Sequence, residues 1–100
     1  MISFVRSADL ALGKAMEAMT FASDIAKVVE KLAGVDVTVM TPIGGNPNQV
    51  VWHVAYENLG ALEAAQATLM ANEEYMTMLA GAADLFLPGS IWDRILKSVG

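Results

Sequence analysis

The stretch QVVWHVAYENLGALEAAQ, Gln49 to Gln66, changes its period partway along. Val50, Trp52, Val54 and Tyr56 are apolar, and between and after them stand Val51, His53, Ala55 and Glu57. A period of two is the mark of a strand with two unlike faces. Asn58 then offers a side-chain oxygen to an early backbone N–H. LGALEAAQATLMA, residues 59–71, is rich in strong helix formers. A strand therefore runs into a helix across one capping residue, and the flanking chain must supply the rest of a sheet.

Upstream, VDVTVMT (residues 35–41) has the β-branched, period-two pattern of a partner strand. The Pro/Gly/Asn loop between the two strands makes them a hairpin. Before it, a helix is expected from about Leu12 to Ala33. Lys14, Glu17, Asp24, Lys27, Glu30 and Lys31 leave an apolar face of Ala18, Phe21, Ala22, Ile25, Val28, Val29 and Leu32. Those apolar residues are spaced three and four apart. Gly34 is placed to cap the helix, and ISFVRSA (residues 2–8) reads as a first strand. Downstream, Asn72 caps EEYMTMLAGAADLF (residues 73–86), with Glu73 and Glu74 where the helix dipole favours acid. LPGS ends that helix, and SIWDRILKSV (residues 90–99) is read as a last strand. The order β-α-β-β-α-β is the ferredoxin-like α+β arrangement, one domain over residues 1–100. Its helices cover one side of a four-stranded antiparallel sheet.

Alternation divides the strand residues into two sets. Ile2, Phe4, Val35, Val37, Val39, Val50, Trp52, Val54 and Tyr56 should pack under the helices. Ser3, Val5, Ser7, Asp36, Thr38, Met40, Val51, His53, Ala55 and Glu57 should face away. The second set is small and mixed, with too few charges for a wet face. Arg6 breaks the first set: either a bulge re-aims it, or it pairs with an acid at the end of the sheet.

Composition supports a covered second face. Apolar residues make up 55 % of the chain and charged residues 17 %, against about 45–50 % and about 25 % in an average soluble domain. A domain of 100 residues cannot hide that excess in one core. A membrane is excluded as the cover. The uncharged run from Val37 to Tyr56 is long enough to span one, but TPIGGNPNQ at its centre cannot hold a helix in lipid. Arg6 and Asp9 stand near the N-terminus without an apolar h-region, so no signal peptide is expected. A second copy of the chain is the expected cover, and the expected partner is therefore itself, as a homodimer.

Six basic residues against eleven acidic ones give a net charge of −5, with no Lys/Arg cluster to bind nucleic acid. Cysteine is absent, which removes disulfides, zinc-thiolate sites and thiol nucleophiles and agrees with a cytoplasmic protein. One histidine and scattered carboxylates give no metal-ligand spacing. GGNPN lacks the Lys-Ser/Thr and the helix of a phosphate loop. No metal and no cofactor are expected.

VVWHVAYENLGALEAAQATLMANEEYMTMLAGAADLF, residues 50–86, resembles the dimeric α+β-barrel superfamily, nearest to NIPSNAP-like and antibiotic-biosynthesis-monooxygenase-like small proteins. The resemblance covers the second half well and the first half by element order only. It implies that two domains pair sheet to sheet, and that the barrel interior or an adjoining cleft holds small, often aromatic or polyketide-like, ligands. Superfamily members include cofactor-free monooxygenases, isomerases, haem-degrading enzymes and proteins with no known activity, so fold alone does not select among them.

His53 is the residue best suited to chemistry on the mixed face. It can serve as a general base or orient a ligand, or it can be a hydrogen-bonded rung within a dimer interface. Glu57 lies four residues on, roughly 13 Å away, and cannot orient it. A partner must come from a neighbouring strand, such as Ser3, Ser7 or Thr38. The expected ligand wall is Ser3, Val5, Thr38, Met40, His53 and Ala55, in a cavity between the sheet and its partner. Three functions follow in order: a homodimeric protein that binds a small apolar or aromatic molecule, a cofactor-free monooxygenase or isomerase using His53, and a structural dimer without activity.

Overall fold

The computed structural model describes residues 1–100. Strand β1 (Ile2–Asp9) is followed by helix α1 (Ala15–Ala33), then the hairpin of β2 (Val37–Met40) and β3 (Gln49–Tyr56). Helices α2 (Leu59–Met70) and α3 (Glu73–Gly81) come next, then a 3₁₀ turn over Ala83–Leu85 and strand β4 (Trp92–Lys97). The sheet is antiparallel throughout, with spatial order β2-β3-β1-β4. This is the expected α+β arrangement, with the second helical region split in two.

The caps fall where the amides stand. The Asn58 side chain accepts from the Ala61 N–H at 2.8 Å, and the Asn72 side chain accepts from the Tyr75 N–H at 2.9 Å. Each satisfies a donor that the first helical turn leaves without a partner. Gly34 ends α1 in the left-handed conformation, φ 68°, as its missing Cβ permits.

The last strand is shorter at both ends than residues 90–99, and three other boundaries differ from the sequence reading for reasons the structure shows. Helix α1 begins at Ala15 rather than Leu12, because the chain turns through Gly13 at φ 76° and Lys14 is not yet helical. Strand β2 begins at Val37 rather than Val35; there the backbone N–H donates to the Glu30 carboxylate at 3.0 Å, which ties the edge strand to α1. Helix α3 stops at Gly81, five residues short of Phe86, and Phe86 itself is extended and bridges to Leu10.

The core lies on one side of the sheet, and no polar residue is buried in it. Ile2, Val54 and Tyr56 pack on Leu62 and Ala65 of α2. Leu10 and Val50 pack on Ala18 and Ala22 of α1, and Ile25 packs with Leu69 and Tyr75. The small alanines let α1 approach the sheet closely enough to bury Val50 completely. Each such aliphatic side chain contributes about 1.5–3 kcal/mol. The indole N–H of Trp52 donates to the Ala22 carbonyl at 3.1 Å and fixes that ring beneath the helix.

Arg6 needs no bulge. Strand β1 pairs in unbroken register with both neighbours, and Arg6 sits directly opposite Asp93 on β4. Its Nε and Nη2 donate to the two Asp93 oxygens at 2.7 and 2.8 Å. The acid-pairing alternative is the one realised, on the helix side of the sheet.

Candidate functional site

A chamber of about 420 Å³ lies between the helix side of the sheet and the three helices, within the range of small-molecule sites, about 300–1,000 Å³. Its floor comes from β1 and β3, through Phe4, Arg6, Trp52 and Tyr56. Helices α1 to α3 supply the roof, and Phe86 and Ile91 close one end. Of its 23 lining residues 19 are hydrophobic, so an occupant is chosen mainly by shape and apolarity. Phe86 stands edge-on to both Phe21 and Trp52, with ring centroids 5.9 and 6.1 Å away. That arrangement holds the aromatic wall rigid.

The polar tips in this chamber are few. Arg6 is the sole charged side chain on the wall, and Gln66, Tyr56 and Tyr75 supply neutral groups. Both tyrosine rings are buried. No fully buried polar side-chain atom goes unpartnered, and the Tyr75 side chain is within hydrogen-bonding reach of Arg6. The Arg6 pKa is raised: its hydrogen bond to Asp93 outweighs burial, and the Asp93 charge and nearby Tyr75 add to the effect. Burial also pushes the Tyr56 phenol up, with Tyr75 contributing, so Tyr56 is a neutral donor at physiological pH. The guanidinium also lies 5.5 Å from the centroid of the Phe4 ring, a cation–π contact.

The residues expected to form a site are gathered on the opposite face. His53 sits between Val5 of β1 and Thr38 of β2, Ser3 is opposite Ala55, and Met40 is opposite Val51. The six therefore share one surface, and none lines the chamber. His53 is half-buried there. The chamber formed by a single chain lies on the other side of the sheet from the surface chosen by sequence.

Sequence reasoning placed Trp52 and Tyr56 in the core without seeing that the core is hollow beside them. Arg6 was the available signal, a charge in an otherwise apolar alternating set. No group of three or more His, Cys, Asp or Glu side chains is assembled to hold a metal ion.

No family model matches the sequence, and no curated protein does. Solved structures with this fold do match. An uncharacterised NIPSNAP domain protein from Burkholderia xenovorans superposes with a TM-score of 0.83 at 18 % identity, over 99 % of this chain and 95 % of that one. A NIPSNAP family protein of unknown function from Agrobacterium tumefaciens gives 0.81 at 20 % identity, over 98 % and 87 %. A putative antibiotic biosynthesis monooxygenase from Nitrosomonas europaea gives 0.75 at 14 % identity, over the whole of both chains. At these identities the likeness is one of fold, and the fold is the one that residues 50–86 resembled.

Proposed function

We propose that this protein binds a small apolar or aromatic molecule in the chamber between its sheet and its helices. We further propose that it does so as a homodimer whose subunits meet through the open faces of their sheets. The chamber carries the first part: about 420 Å³ of space walled almost wholly by apolar side chains. A core of this size without a ligand role would be expected to close on itself, because unfilled apolar space costs stability. The wall presents no imidazole and no carboxylate. Nothing on it is suited to take a proton near neutral pH, so binding is placed ahead of catalysis.

The second part draws on the open face. Trp92, Leu96 and Met40 are 68, 42 and 41 % exposed there. Apart from Asp9 at one end, Arg94 is the only full charge among its paired strand residues. Such a surface is covered in most proteins. No helix is long and apolar enough to cross a membrane, and we propose a cytoplasmic location, with which the lack of cysteine agrees.

The neutral probe N-phenyl-1-naphthylamine tests the chamber. Saturable binding with blue-shifted emission is expected, and it should be lost in Ala83→Trp, which places an indole at the exposed edge of the chamber wall. Unsaturable binding, or binding indifferent to Ala83→Trp, would locate the probe elsewhere. Light scattering at micromolar concentration should give twice the chain mass. A stable monomer would remove the sheet-to-sheet assembly.

A further inference from the structure

We infer that the chamber selects an amphiphilic monoanion: an apolar or aromatic body seated against Phe21, Trp52 and Phe86, with a carboxylate held by Arg6. The inference rests on the small-molecule reading and adds the chemical class of the ligand.

Arg6 is in a costly place for a residue whose work is only to tie two strands together. On the helix side the guanidinium lies against the Phe4 ring and is partly desolvated, the side chain keeping 33 % of its surface exposed. Asp93 compensates from one edge only, through Nε and Nη2. A guanidinium has five N–H donors; Asp93 takes two, and the three it leaves, including both on Nη1, are there for Tyr75 and an occupant to share. Asp93 does not line the chamber whereas Arg6 does. An occupant therefore meets the cation without its counterion.

The neighbouring groups agree in sign. Tyr75 lies close enough to Arg6 to influence it, and Tyr56 is close to Tyr75. A neutral phenol can donate to an anion beside the guanidinium, as a carboxylate with two acceptor oxygens requires. The chain has eleven acidic residues against six basic ones, yet no acid is on this wall. A cationic ligand would find repulsion there and no partner. A neutral one would leave the free N–H groups unpaired once it displaced their water.

Naphthalene-2-carboxylate and naphthalene-2-carboxamide have nearly the same shape and differ in charge at neutral pH. By calorimetry, the acid should bind at least about tenfold more tightly than the amide, as a charge-assisted pair in a low-dielectric site requires. Arg6→Gln should bring the two affinities within about twofold, chiefly by weakening the acid. Asp93→Asn removes the same ion pair but leaves the cation, and should keep or increase the preference for the acid. A purely structural ion pair would make these two variants behave alike. Equal binding of acid and amide by the unmodified protein would overturn the inference while leaving the small-molecule reading intact. Acid preference that survives Arg6→Gln, or vanishes in Asp93→Asn, would overturn it as well. Failure of the unmodified protein to bind either compound would remove both readings together. The unmodified protein decides the question even if Arg6→Gln does not fold.

Discussion

The two faces of the sheet are built from the same four strands and share almost nothing else. On the helix side, Val50, Val54 and Tyr56 are 0, 5 and 6 % exposed, and the helices above them stand far enough away at one end to leave a chamber. On the open side, His53, Val51 and Thr38 lie half-buried or exposed among serines and a methionine, with no element of the chain above them. The first face gains its stability within one chain. The second gains it only if another chain arrives. Residues one position apart along β3 therefore belong to different energetic problems, and substitution should separate them.

The largest separation is expected at Trp52. Its ring packs against two of the three core clusters, meets Phe86 edge-on and donates to the Ala22 carbonyl. Trp52→Ala should cost about 3 kcal/mol, at the lower end for a buried aromatic because the ring already borders open space. Chemical denaturation would read this as a lower midpoint at unchanged slope. A cost below about 1 kcal/mol would mean that the helix side is not the main core.

Met40→Glu addresses the other face. If two sheets are apposed as proposed, a carboxylate among their apolar groups should weaken dimerisation by about 2–3 kcal/mol, on the order of a hundredfold in dissociation constant. The isolated chain should barely notice, with a change within about 0.5 kcal/mol, because Met40 is already 41 % exposed. Sedimentation across a concentration series measures the first effect and denaturation of the diluted protein the second. Dimerisation unaffected by Met40→Glu would place the subunit contact away from the open face.

How much of this contrast could be read from the sequence depends on how local its causes are. The alternation of residues 50–57 assigned both faces of β3 correctly, because side-chain direction in a strand is fixed by backbone geometry alone. Asn58 and Asn72 announced two helix starts, since a cap acts within three residues. The chamber was not legible. It depends on how Ala18, Ala22 and Ala26 let α1 settle on the sheet while Phe86 and Ile91, from a distant part of the chain, close one end. No single segment carries that information. The partner of Arg6 was equally hidden, because Asp93 is 87 residues away and meets it only through the β1–β4 register. What the sequence did show was the anomaly itself, a cation in an apolar set. The early end of α3 had no clear signal, as AGAADLF is as helical in composition as the turns before it.

A smaller difference is expected in alkali. The Tyr56 pKa is raised in the folded protein, mainly by burial. Its contribution to stability is therefore fully present below the ordinary phenol value, about 10, and is lost as pH rises through the folded-state value. Stability should fall above about pH 10, and Tyr56→Phe should make that fall shallower, since a phenyl ring has no proton to lose. Melting temperatures at stepped alkaline pH would show it. An equally steep fall in Tyr56→Phe would assign the loss to other groups.

The smallest effect should come from His53, the residue that the sequence singles out for chemistry. It stands between Val5 and Thr38 on the face opposite the chamber, and no side-chain hydrogen bond ties it to either neighbour. In the isolated chain His53→Ala removes a half-solvated ring and should change stability by less than about 0.5 kcal/mol, several-fold below Trp52→Ala. The four-stranded floor separates it from the chamber, so the affinity for a chamber ligand should stay within about twofold. Calorimetry with naphthalene-2-carboxylate, run on His53→Ala and on Trp52→Phe side by side, makes the comparison direct. If His53→Ala lowers that affinity tenfold while Trp52→Phe leaves it untouched, the ligand sits between the sheets of a dimer and the helix-side chamber is packing space. If the order is reversed, His53 is one rung of a sheet whose binding is done from the other side.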